Sequence, residues 1–596
     1  MGLGKRKYLK LYILCGLLFS AMVQAGTYRQ QMDLAVHSGQ LDEKTALVYQ
    51  VLAAHDPSSL PIAYRPTATE AGKSGFALRI KILEALNQLT TEQKDLLAPF
   101  MMRPRSQLPE SLVSSTGLFK IHYTNIGSSA VPQEDLDSSG IPDYVELAAS
   151  VFDSVYQVEV IQFGLNPPPG DNNVDGPEWD IYLKDMNLYG ETMPESKISS
   201  DPDIWISYIQ LDNDFDDSFY TKGTNGLRVT AAHEFLHMIH LGYNLRSSGF
   251  NRYSDLFLME ASSTWMEDAV FDQVNDYYQY LGAPYRNTGL GVFEQNNTPF
   301  DEENGWHEYG MSIWFHYLEK RFENQIQPGE MVRRVWEKIV DFPAFEATDY
   351  VLQELGSSFQ EELATFYAWN YRTGGRADAS RFYPEGGAYP EVVLDGHYHF
   401  HFDTTLSEVI TPTAARYYVF DEDNGDSFAL VPVNVKWYNP DTLNVMSIAV
   451  IHGNDGNHYT SVSNDAVARL VTDDGFSCSA YHHSGDEIIA IGSISASGLS
   501  DQDGLPASYP NPFLVHQHAE VVMPFNIDEP ALISFAVFTS NGYRVYKDEQ
   551  FFASGLQKCR WQGINDQGNP VASGMYLYVI RDGDKIIRKE KFVLVR

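Results

Sequence analysis

One stretch limits this chain more than any other: Ala232-His233-Glu234-Phe235-Leu236-His237-Met238-Ile239-His240. The run NGLRVTAAHEFLHMIHL carries apolar residues at helical spacing, and Gly242 is placed to end it. On a helix His233 and His237 are one turn apart, so both rings leave the same face. A carboxylate buried between imidazoles is costly without a cation or hydrogen-bond partners. Any fold for this chain has to solve that problem. Two imidazoles at this spacing can grip one zinc ion, with Glu234 beside the open position to accept a proton and then return it. The competing reading is a core helix whose histidines are merely hydrogen-bonded.

Zinc needs a third protein ligand. The continuation HExxHxxGxxH fails here, because His240 takes the glycine position and Tyr243 the third histidine position. A glutamate on the next helix is the alternative. The segment SDLFLMEASSTWMEDAVFD offers Glu260, and Ala261, Ser262 and Ser263 after it are small enough for two helices to approach closely. Glu267, two turns on, is the rival ligand and is preferred as an outer partner that orients a histidine. His240 is expected to pack or hydrogen-bond. An oxyanion also needs a donor. Tyr309, in the WHEYG start of a helix continuing as MSIWFHYLEKRF, is the candidate, with His307 behind it.

A second group of ligand-type residues lies at 135–146, DLDSSGIPDYVE. Asp135, Asp137, Ser139, the Ile141 carbonyl, Asp143 and Glu146 follow the oxygen-ligand spacing of a calcium loop, and Gly140 permits its sharp turn. Pro142 is unusual there, and no clear helix enters the loop. An Asp-rich cap on the helix that begins near Pro142 is the alternative. The alternating histidines His397, His399 and His401, and the pair His482-His483, are expected on solvated strand faces.

At 596 residues the chain needs several cores. Lys5, Arg6, Lys7 and Lys10 precede an apolar run, Leu11 to Val23, and small residues end at Ala25, so residues 1–25 are expected to be a signal peptide. Residues 26–110 carry helical periodicity, broken by prolines, and are expected to be a propeptide-like helical region. Strand patterns followed by helices suggest an α+β domain over 111–387. Short apolar runs between turn signals suggest a β-sandwich over 388–500, and a polar linker leads to a last β module over 501–596. No later stretch is long enough for a transmembrane helix. A net charge of −37 argues against nucleic-acid partners, which require clustered Lys and Arg. Cys478 and Cys559 are expected either to pair across domains or to stay free.

The paired segments LRVTAAHEFLHMIHLGYN and MEASSTWMEDAVFD resemble a family of exported bacterial zinc metallopeptidases of gluzincin type. The likeness runs from about residue 30 to 385 and includes LDEKTALVYQVLA, IHYTN, GIPDYVE, WDIYL and YGMSIWFHYLE. It implies a zincin-like α+β catalytic domain with His233, His237 and Glu260 as zinc ligands and Glu234 as the catalytic residue. Residues 505–596, from YPNPF to KEKFVLVR, resemble the Ig-like sorting domains of type IX secretion cargo and the flagellar hook-capping modules. That implies handling by outer-membrane secretion machinery, and a protein secreted or attached to the outer cell surface. The combined expectation is a multidomain zinc endopeptidase acting on a protein or peptide, with two Ig-like β-sandwich domains after the catalytic one. Its rivals are a zinc hydrolase acting on another amide or ester, and a surface adhesin with an inactive metallopeptidase-like domain.

Overall fold

The computed structural model describes residues 32–596 except 33, 37, 66–70, 201, 246–254, 400–407, 422–426, 436–445, 453–456, 464–466, 472–475, 482–487, 491–494, 497–507, 509, 517, 540–543 and 584. The expected signal peptide, His401 and the His482-His483 pair lie outside the described residues. The chain is multidomain, with mixed helix and strand and several β-sheets.

The N-terminal part is built from α1 (Glu43–His55), α2 (Phe76–Ala85) and α3 (Thr91–Leu97). Asp42 caps α1 by accepting from the Thr45 N–H at 3.0 Å. Thr90 and Gln93 form a reciprocal capping box at the start of α3. These helices close over a core of their own, including Val48, Val51, Leu52, Ile82, Leu89 and Leu97. One short strand, β1 (Gly72–Ser74), leaves this helical block to join a sheet built by the residues that follow.

That sheet has six strands. They are β1 with β2 (Glu110–Val113), β3 (Phe119–Tyr123), β4 (Trp179–Leu183), β5 (Leu188–Ser200) and β6 (Asp203–Leu211), in the order β1-β5-β6-β4-β3-β2. Strands β3, β4 and β6 are parallel, β5 runs antiparallel to β6, and β1 adds parallel to β5. Three helices complete this layer: α4 (Asp143–Tyr156), α5 (Gly223–His240) and α6 (Leu256–Val270). Helix α5 is buried from Val229 to His240, so its HExxH residues sit inside the protein rather than on a surface. The helix expected to start at WHEYG and continue as MSIWFHYLEKRF is divided into α7 (His307–Gly310) and α8 (Ile313–Arg321). Helices α9 (Glu330–Ile339), α10 (Ala344–Glu354) and α11 (Phe359–Asn370) follow.

The chain then turns to strands. β7 (Gly396–His399), β8 (Glu408–Ile410), β9 (Tyr418–Asp421), β10 (Ser427–Asn434), β11 (Met446–His452) and β12 (Asn457–Ser463) come first, and five of them form a sheet in the order β12-β11-β10-β9-β7. Ala415, Tyr417, Val431 and Val433 share one continuous apolar core with Phe366 and Trp369 of α11. The Tyr367 hydroxyl donates to the Thr413 carbonyl at 2.7 Å across the same seam. The last module places a five-stranded and a two-stranded sheet around a core that includes Phe525, Phe535, Trp561, Tyr578 and Phe592. Cys559 in that core is a free, buried thiol, pushed up to about 12 by burial and then by Asp548.

Candidate metal centre

Helices α5 and α6 pack side by side, and Ala261, Ser262 and Ser263 are fully buried. This close approach brings Glu260 to the histidines. Glu260 Oε2 lies 3.1 Å from His233 Nε2 and 3.2 Å from His237 Nε2, and the two Nε2 atoms are 3.1 Å apart. Three ligand atoms of a tetrahedral zinc site stand about 3.3 Å from one another when each is ~2.0 Å from the metal.

The protons make the case sharper. His233 Nδ1 donates to Glu267 Oε1 at 2.7 Å, which leaves its Nε2 as a lone pair. With Glu260 as a carboxylate, a proton on His237 Nε2 can bridge only one of the three contacts. The remaining contacts set acceptor against acceptor, which a cation relieves. Glu260 Oε1 and Glu234 Oε1 are also buried without a hydrogen-bond partner among the described residues. Burial holds His233 down at about 3 and keeps His237 well below the usual imidazole range. Both rings are therefore neutral, as a metal ligand must be. The residues fit a zinc ion.

Glu234 lies in the second half of α5 and faces β5. Thr192 Oγ1 donates to Glu234 Oε2 at 2.8 Å. Gly190 is required there, since a side-chain carbon on it would come within 2.7 Å of Thr230 and 3.0 Å of Glu234. Burial, and then the charge of Glu260, push the Glu234 carboxyl well above the usual carboxylate range.

The other predicted residues separate. Glu267 reaches the far nitrogen of His233 and not the converging atoms. His240 stacks on Trp336 at 3.9 Å and contacts Ser262. Tyr309 is buried with its ring 6.2 Å from that of His233. At 135–146, carboxylate oxygens of Asp135, Asp137 and Asp143 come within 4.8 Å of one another, and Glu146 is not in that group. Backbone N–H groups of Ser139 and Gly140 already donate to Asp135, and Ser139 Oγ donates to the Ile141 carbonyl.

Several residues around the site went unread in the sequence. Lys73 Nζ pairs with Glu267 Oε2 at 2.8 Å and Asp276 Oδ2 at 2.5 Å, all three buried. Burial opposes its charge, and Asp276 and then Glu267 outweigh burial, so Lys73 is held above the ordinary lysine range. Phe76 stacks on His237 with ring centroids 4.0 Å apart. Neither residue sits in a pattern that would have flagged it, and Thr192 lies in a polar run.

No family model matches this chain. No curated protein matches it either. Among solved structures the chain is similar to PorZ, an essential bacterial surface component of the type-IX secretion system of Porphyromonas gingivalis. The identity is 17%, the match covers 30% of this chain and 23% of that one, and the TM-score is 0.13. Among the described residues, no helix is long and apolar enough to cross a membrane.

Proposed function

We propose that this chain is an exported zinc-dependent endopeptidase with a zincin-like catalytic domain, ligated by His233, His237 and Glu260. One observation carries the reading: three ligand atoms converge at 3.1–3.2 Å, more contacts than a single imidazole proton can bridge, next to a carboxyl that has one oxygen without a hydrogen-bond partner among the described residues. A bound zinc would polarise the scissile carbonyl and lower the pKa of its water. Glu234, through Oε1, takes the proton of the attacking water and returns it to the leaving amine, while Thr192 fixes Oε2. Glu267 holds the His233 ring through Nδ1. Tyr309 is proposed as the donor to the oxyanion. We read the C-terminal module as an Ig-like sorting domain and the 135–146 loop as a structural calcium site.

Metal analysis of the purified chain tests this. One zinc per chain is expected, lost in His237→Ala and Glu260→Ala, together with chelator-sensitive casein hydrolysis. Calcium uptake that disappears in Asp135→Asn would identify the second site. Absence of zinc after it has been offered would leave α5 a packing helix and favour the adhesin reading. Hydrolysis confined to non-peptide amides or esters would favour the other zinc hydrolase.

A smaller effect isolates the outer partner. Glu267→Gln should keep the fold yet weaken zinc about 10–100-fold, because the His233 ring loses its anchor and some basicity. Competition against a chelator of known affinity reads this directly. An unchanged affinity would mean that Glu267 serves only Lys73.

A further inference from the structure

A polypeptide has to reach the converging ligands, and at present nothing can. Glu234 and His237 have no exposed surface, and His233 and Glu260 have 1%. Much of the cover comes from one short segment. The Phe76 ring lies flat on His237, at 17° between planes. Lys73 is tied to Glu267, the partner of His233. The backbone of this segment occupies the edge of β5: the Gly72 N–H donates to the Asn187 carbonyl and the Gly75 N–H to the Gly190 carbonyl, both at 3.0 Å. An extended peptide could add to β5 beside Glu234 only where β1 is absent.

This segment belongs to a unit with a partly separate core. Helices α1 to α3 have their own core. Exposed residues Arg105, Ser106 and Gln107 connect that unit to β2. Its grip on the rest is partly apolar, since Ala71, Phe76, Ala77 and Ile80 belong to the main core, and partly electrostatic. Lys73 enters the Glu267–Asp276 pair. Arg79 makes two bonds to buried Glu191, at 2.8 and 2.9 Å. Arg103 bridges Asp171, Asp180 and Glu195. Three basic side chains of one segment thus meet six acidic residues of the next, in a chain with 79 acidic and 42 basic residues.

Resting on the metal reading above, we propose that residues 32–105 are an internal plug, latched by Lys73, Arg79 and Arg103, that keeps the metal site closed until the unit is displaced. The latch can open without unfolding the sheet, since β1 is an edge strand and β5 stays paired with β6.

The test uses the full chain with a site-specific protease sequence inserted between Ser106 and Gln107. The chain is loaded with zinc, cut, and freed of the released unit on a sizing column in high salt, which weakens the ionic latch. Two rates are compared before and after release: zinc removal by a chelator, and hydrolysis of a casein peptide. Both should rise at least about 10-fold, from a buried to an open site, and adding back the released unit should reverse both. In the uncut chain Phe76→Ala should speed zinc removal without any cut. Equal rates before and after release overturn the plug, as does collapse of the cut chain's circular dichroism, which would make the unit part of the fold. Zinc bound tightly but unaffected by release sinks the plug alone. A chain that never takes up zinc sinks the metal reading and the plug with it.

Discussion

Glu234→Gln should lower peptide hydrolysis by about 10²–10⁴-fold while zinc stays bound at one per chain. The substitution keeps the shape of the side chain. Its carbonyl oxygen can still accept from Thr192, which now bonds Oε2 at 2.8 Å. The three ligand atoms belong to other residues, so their spacing is untouched. What disappears is the ability to take a proton at Oε1, the oxygen without a partner among the described residues. The assay belongs on the cut and released chain, with zinc measured on the same sample. Activity within a few-fold of the parent would remove Glu234 from the reaction. Loss of zinc along with activity would mean that the residue holds the metal site together instead.

Much of the candidate metal centre was legible because its signals are local. Helix periodicity puts His233 and His237 on one face whatever surrounds them, and small residues after Glu260 announce a close helix contact. The preference for Glu260 over Glu267 at the converging atoms also follows from that packing, since Glu267 lies nearly two turns further along α6 and meets His233 from its other nitrogen. The sheet edge was not legible. LYGETMPESKISS contains Gly190, Pro194 and several polar residues, and it forms β5 only because β6 pairs with it across bulges near Pro194 and Ser199. Strand β1 is three residues long and gains its strand character wholly from β5. Lys73, Phe76 and Thr192 gain their roles from this pairing, which no periodicity encodes. The helical reading of 26–110 matched α1 to α3 and missed the one strand that reaches the site.

The latch itself predicts the second large effect. Arg79→Met should destabilise the docking of α1 and α2 by about 3–5 kcal/mol at pH 8, because it leaves the buried Glu191 carboxylate without its main counter-charge. Arg79 and Glu191 are each about 1% exposed at the pair, so solvent screens little of the loss. In the parent, burial raises Glu191, and Arg79 and then His55 outweigh it, so the carboxyl is held well below the usual range. Stability from that depressed group is fully present above its unfolded value of about 4.3, and is lost as pH falls through the folded value. The parent's docking should therefore hold from neutral pH down to about pH 4 and weaken below it. The variant should behave differently. His55 Nε2 lies 3.0 Å from Glu191, and its protonation is now opposed by burial and by Arg79. With the guanidinium gone, His55 can take up a proton and replace part of the missing charge. That stabilisation grows as pH falls through the histidine's new value, so Arg79→Met should recover part of its loss between pH 8 and pH 6. Hydrogen exchange of the Gly72 and Gly75 amides, which donate to the Asn187 and Gly190 carbonyls across the seam, measures docking apart from the remaining domains. A loss below about 1 kcal/mol at pH 8 would show that the Phe76 and Ile80 contacts hold the unit and that the charges do not.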